Sequence, residues 1–343
     1  MKRAPFLGGA AATAFAIGSA PAYAQDLTTV RVGVLGIGTD APIFIADSKG
    51  FFREHGIKIE AIKFTSSETM MPLLAQTGLD IGIGAPGASL YNAVIRGIDL
   101  RAVADASTDP KGFGWSKLLI RSDLVKSGKF KTIKDLKGMT IAGAARASSS
   151  AAQMARLVAM AGLSYADVQR TVLPYPQHAV AFTNGAIEGA LTIEPFATLA
   201  VESGVAVAVM GNDQFYPDQE VSCVLCSAAL IRDRRNTIVR YLAGFLKGVR
   251  YYRQGLKNGH FDGPIGEEVA QIIATQTGAA QALVMRTTPA SVDPNGRLNL
   301  PSMRADLAFY KAQGFIEGGD ISVDRVVDTS LSKEATKIIG IAR

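Results

Sequence analysis

Two glycine-rich turns each follow an apolar run, Gly36-Ile-Gly38-Thr-Asp-Ala41 and Gly82-Ile-Gly84-Ala-Pro-Gly87. The G-x-G-x-x-G spacing is that of a dinucleotide loop, in which glycines bring backbone N–H groups up to a pyrophosphate. Pro86 has no N–H to offer, which weakens that reading. The same turns suit a smaller guest, because glycine admits close approach and a helix start presents free N–H donors. A third such place is Ala144-Ala-Arg146-Ala-Ser148-Ser149-Ser150, ahead of a long helical pattern. Its serines either cap the helix for its own sake or help to hold a bound anion or carbonyl. Glu194 closes another apolar run, where it can accept from a ligand or tie its loop to Arg146. Trp115, the single tryptophan, can stack on a planar ligand or fill the core.

Chemistry of other kinds finds little support. His55, His178 and His260 share no metal-ligand spacing, and the sequence has no H-E-x-x-H, G-x-S-x-G or Walker pattern. No catalytic residue, metal site or cofactor is expected, and the chain reads as a non-enzyme. Cys223 and Cys226 lie in a strand-like run. Residues i and i+3 of a strand point to opposite faces, so two buried thiols are expected rather than a disulfide or a redox pair. The run Arg232-Asp-Arg-Arg235 reads as a solvated helix start.

Length, charge and composition narrow the class. The 343 residues suggest about two domains. Hydrophobic residues make up 48% and charged residues 19%, enough for a real core. Lys2 and Arg3, an apolar run from Phe6 to Ile17 and Ala22-Tyr-Ala24 have the form of a secretory leader over residues 1–24. Its loss would leave 34 basic against 30 acidic residues, +4 in place of +6. That surplus is small and scattered, and it does not describe a nucleic-acid protein.

The elements that must position these residues alternate strand with helix. Strands are expected at Val30–Gly36, Ile57–Phe64, Asp80–Gly84 and Leu100–Ala104, with helices between them. A second unit begins at the strand Trp115–Ile120. It continues with the strand Thr140–Gly143, the helix Ser149–Met160, and strands at Val168–Leu173 and Gly189–Ile193. After a strand at Val221–Leu225 the chain turns helical, with Leu242, Phe245, Leu246 and Val249 on one face. This is an α/β pattern with largely parallel sheets. If the helical tail returns to the first unit, two strands cross between lobes. The result is a hinge with a cleft at the strands' carboxyl ends.

With these residues in view, the chain resembles the periplasmic solute-binding proteins of ABC importers in the nitrate/sulfonate/taurine class, which includes thiamine-precursor binders. The resemblance is carried by Asp40-Ala-Pro-Ile-Phe-Ile-Ala-Asp-Ser-Lys-Gly-Phe-Phe-Arg-Glu-His-Gly-Ile and Leu79-Asp-Ile-Gly-Ile-Gly-Ala-Pro-Gly. Gly185-Ala-Ile-Glu-Gly-Ala, Glu194-Pro-Phe, Asp293-Pro-Asn-Gly-Arg-Leu-Asn, Tyr310-Lys-Ala-Gln-Gly-Phe-Ile and Val327-Asp-Thr-Ser extend it in order along nearly the whole mature chain. It implies a type II periplasmic-binding-protein fold, with residues 25–116 and 222–343 in lobe 1 and residues 117–221 in lobe 2. By position its ligand loops fall on Thr39, Asp40, Ser66, Ser67, Gly84, Ala85, Pro86, Ala147, Ser148, Ser149 and Glu194, beside the aromatic candidate Trp115. The implied partners are a small solute (a sulfonate, carboxylate, nitrate-like anion or pyrimidine) and an inner-membrane permease served by a separate ATPase. A monomer in the periplasm is expected. A sensory binding protein feeding a membrane receptor is the alternative; so is an enzyme of the thiamine-pyrimidine type, whose cysteine-rich motif is missing here.

Overall fold

The structure, a computed structural model, describes Met1 and residues 26–342. The expected leader lies outside the described residues. Ten strands build two five-stranded sheets: β1 Thr28–Val34, β2 Ile57–Lys63, β3 Ile81–Gly84, β4 Leu100–Thr108, β5 Ser116–Arg121, β6 Thr140–Gly143, β7 Gln169–Val172, β8 Gly189–Ile193, β9 Ala206–Gly211 and β10 Glu220–Ser227. The first sheet runs β2-β1-β3-β10-β4 and the second β7-β6-β8-β5-β9. The chain therefore leaves the first lobe after β4, builds the second, and returns as β10 between β3 and β4.

The sheets are mixed, not largely parallel. β1 runs parallel to β2 and β3, and β6 parallel to β7 and β8. β10 is antiparallel to both β3 and β4, and β5 to both β8 and β9. The two exceptions are the strands that enter a lobe from the other one. Each arrives by direct crossing and needs no helical return, and that return is what makes neighbouring strands parallel.

The first sheet is covered on both faces. Val30, Val32 and Val34 alternate toward the helices Ala41–Ser48 and Ala228–Gln254 and join the predicted stripe of Leu242, Phe245, Leu246 and Val249. The other face packs on Met70, Leu74, Tyr91, Met303 and Tyr310. Cys223 belongs to the latter core and Cys226 to the former, as the spacing of three predicts, and both thiols are free and buried. The helix Ala228–Gln254 breaks at Arg234, so the basic run divides. Arg232 stays at the surface beside Asp233, whereas Arg234 reaches the buried carboxylate of Asp80 at 2.8 Å. The helices Gly263–Thr277 and Gln281–Arg286 form a smaller core with Ala41, Ile45 and Tyr252.

Candidate functional site

A cleft of about 720 Å³ lies between the lobes. Its walls come from the ends the topology rule picks out: the loop after β1, the segment after β2, the end of β3, the starts of β5 and β10, and the loops after β6 and β7. Lobe 2 contributes the start of the helix Ser149–Met160, whose first N–H groups have no partner within the helix. The Ser149 hydroxyl donates to Val221 O at 3.0 Å, and those of Ser148 and Ser150 meet at 2.9 Å. Trp115 and Ser222 also line the cleft, but Trp115 Nε1 and Ser222 Oγ are sealed within the protein. Aromatic and branched side chains supply much of the rest, among them Phe64, Tyr175, Ile193 and Phe196. Lys63 and Glu68, both on lobe 1, are the charged side chains of the wall. Burial, reinforced by Glu68, disfavours ionisation of the Tyr175 hydroxyl.

The predicted residues divide into two groups. Thr39, Ser66, Ser67, Gly84, Ala85, Trp115, Ser148 and Ser149 line this cleft. Asp40, Pro86, Ala147 and Glu194 do not. Asp40 is fully buried behind its loop, where Oδ2 accepts from the N–H groups of Leu35, Gly36 and Ile37 at 3.0, 2.7 and 3.1 Å. Burial pushes this carboxyl up to about 6, although the three donors pull the other way. Asp40 thus shapes the loop from behind. Glu194 faces a smaller neighbouring chamber; it pairs with Lys117, and its Oε2 accepts from the Thr198 N–H and hydroxyl at 3.0 and 2.8 Å. Glu194 makes no tie to Arg146, the second of the two alternatives its position offered; Arg146 lies 5.7 Å over the Phe315 ring. Trp115 packs with Ile193 and Ala290 and also fronts the cleft, so it fills core and wall together. The sequence reading missed Phe64, Lys63, Gln153, Tyr175 and Phe196. Phe64 and Tyr175 follow strands whose carboxyl ends were expected, so the end rule applied loop by loop would have found both.

Gly36 takes a left-handed φ of +72°, and a Cβ there would meet Lys63 Cε at 2.6 Å. The lysine lies across the loop because that position carries no side chain. The lobes touch at several points. Ala88 N–H, at the start of the helix Ala88–Ile95, donates to Ala147 O at 2.9 Å. Arg286 forks onto Glu202 at 2.7 and 3.2 Å, and Tyr165 meets Phe309 edge-on at 5.0 Å.

The crossings themselves hold buried acids. Asp105, Asp109 and Glu220 are fully buried, and Asp213 nearly so. Asp105 and Glu220 each accept a backbone N–H, from Asp293 at 2.5 Å and from Asn299 at 2.6 Å, and Asp105 Oδ1 is buried without a partner. Burial pushes Asp105 up to about 7 and raises Glu220 as well, the neighbouring Asp105 charge adding to the second shift. A folded pKa above the unfolded one means that the native state holds its proton longer. Its stability contribution is therefore full below about pH 4 and is lost as the pH climbs to about 7. Asp105→Asn is expected to remove this slope: the variant-minus-wild-type melting temperature should rise between pH 5 and pH 8 in calorimetric scans. A difference that stays constant across that window would refute the assignment.

Comparison with known proteins adds a lineage. Residues 23–260 match the model of the NMT1-like family. A search of curated proteins returned no match. Among solved structures, the chain is similar to the periplasmic nitrate-binding protein NrtA from Synechocystis PCC 6803, with a TM-score of 0.75, 14% identity, and coverage of 92% of this chain and 90% of that one. It is also similar to the alkanesulfonate-binding protein SsuA from Xanthomonas axonopodis pv. citri bound to MOPS (TM-score 0.69, 18% identity, 88% and 98% covered). The desulfurization enzyme DSZB aligns as well, at a TM-score of 0.58, 14% identity, and 91% and 99% covered. At these identities the likeness is one of fold, and the fold is the type II periplasmic-binding arrangement of two α/β lobes.

Proposed function

The chain belongs to the NMT1-like family, and from that premise we propose that it is the periplasmic solute-binding component of an ABC importer. In this reading it captures a small organic solute between its lobes and releases it chemically unchanged to a membrane permease driven by a separate ATPase. The observation that carries the reading is a cleft walled by both lobes, with a helix start among its apolar surfaces. Such a wall is fully touched by a guest only when the lobes are together. A ligand that prefers one arrangement shifts the population toward it, and the permease can read that arrangement. The volume favours a metabolite-sized guest over a three-oxygen anion such as nitrate, since sites of this class run from about 300 to 1,000 Å³ for ligands of many atoms. The solute-contacting set is then Thr39, Ser66, Ser67, Gly84, Ala85, Trp115, Ser148 and Ser149, with Phe64 and Tyr175 added.

Thermal-shift screening of the purified mature chain against sulfonates, carboxylates, nitrate and pyrimidines tests this. A ligand that binds only the native state raises the melting point, by an amount that grows with the logarithm of its concentration above Kd. Recovery of the hit by mass analysis should return it unaltered; a changed product would favour the enzyme alternative. Replacing Ser148 and Ser149 together by Ala is expected to weaken the hit by about thirtyfold with little loss of fold, on the basis of about 1 kcal/mol per hydroxyl contact. Equal affinity by calorimetry would take those hydroxyls out of the site.

A further inference from the structure

Beside the main cleft lies a chamber of about 270 Å³, and the two share Gly36, Ile37, Trp115, Phe196 and Thr277 in their walls. Their chemistry differs. Apart from the shared tryptophan, every polar side chain on the smaller chamber is already hydrogen-bonded within the protein. Thr277 Oγ1 donates to Ile273 O at 2.8 Å, Thr287 Oγ1 to Val284 O at 2.7 Å and Tyr252 OH to Ala290 O at 2.8 Å. Thr288 Oγ1 accepts from Lys117 at 3.1 Å, and the same lysine pairs with Glu194. What is left to face a guest is hydrocarbon, from Leu199 and Phe196 of lobe 2 and from Leu283, Ala279, Phe261 and Pro289 of lobe 1.

We propose that this chamber is the specificity subsite of the protein and takes the apolar tail of an organic acid whose head lies in the main cleft. The inference rests on the solute-capture reading and deepens it. The two spaces adjoin at Trp115 and Phe196, which sets the chamber directly beside the cleft with its helix start and Lys63. A tail carrying hydroxyls or amines would lose water and find no spare side-chain partner, a costly exchange. The chamber also draws on both lobes. The ion pair from Arg286 to Glu202 joins the ends of the helices Gln281–Arg286 and Phe196–Glu202, which supply part of its walls. A tail seated there touches both lobes and adds to the preference for the joined arrangement.

Calorimetric titration with ethane-, butane-, hexane- and octanesulfonate, and with the matching n-alkanoates, tests the assignment on the wild-type chain and on Ala279→Phe, which fills the chamber. In the wild type the affinity is expected to rise about fourfold per methylene, the yield of burying one CH₂, and then to level off once the chamber is full. In Ala279→Phe the two-carbon arm keeps its affinity and the rise disappears. Two-carbon acids that bind while longer ones bind no better would overturn the chamber's role, as would an undiminished rise in the variant. Failure of every acid in both series to bind would overturn the acid-capture reading along with it, and the two-carbon arm tells the two failures apart. The wild-type series decides the matter even if the variant does not fold.

Discussion

Asp40→Ala is expected to cost about 3 kcal/mol of stability and to remove solute binding together with it. One carboxylate oxygen holds three consecutive N–H groups, those of Leu35, Gly36 and Ile37. Each buried donor left without its partner costs about 1–3 kcal/mol. The low end applies, because the loop borders an open cleft and water can reach part of it. Gly36 and Ile37 belong to the walls of both the cleft and the smaller chamber, so loosening them spoils both. Asp40→Asn keeps an acceptor oxygen and should lose less than half as much. Urea unfolding of the two variants checks the order. Equal stability of Asp40→Ala and wild type would show that the loop holds itself.

Gly87→Ala is expected to weaken solute binding by about 10- to 100-fold while leaving the melting temperature of the unliganded protein within a few degrees. Gly87 has φ −78° and ψ 179°, which any residue adopts, so no backbone strain arises within lobe 1. A Cβ there would stand 2.9 Å from Ala147 O and 3.2 Å from Ser148 Cα, both of lobe 2. That is closer than atoms pack, and the neighbour is main chain that cannot swing away. The lobes must separate, at a cost of about 1–3 kcal/mol by the measure of overpacked cores. The cost falls only on the joined arrangement that grips the guest. Small-angle scattering with saturating ligand should give a larger radius of gyration for the variant. An unchanged radius and affinity would mean that this contact does not govern closure.

The two-sheet α/β fold and most of its strands and helices were legible because each depends on a local signal. Val30, Val32 and Val34 alternate, Leu242 to Val249 repeat at helical spacing, and the serines before Ala151 mark a helix start. The extent of β4 was not legible. Asp105 and Ser107 look like the end of a strand, yet both are fully buried inside it. Their partners come from residues near 220 and 293, far along the chain, and no window of sequence contains them. Asp40 and Glu194 were found as polar residues at the right loops, but their direction was hidden. Whether a carboxylate faces a guest or its own main chain depends on neighbours such as Lys117 that only the folded sheet brings near. The smaller chamber was out of reach for the same reason, since it joins the helix after β8 to a segment about 80 residues later.

The two thiols have a practical consequence. Cys223 and Cys226 point to opposite sides of one central strand, each sealed under its own core, and burial raises both above their ordinary range. Maleimide dyes attack the thiolate of an accessible cysteine, so the native chain should stay dark in a labelling reaction. A fluorophore pair can therefore be installed through two engineered surface cysteines, one on each half, with no need to strip the native ones, and the opening and shutting of single molecules could be watched directly.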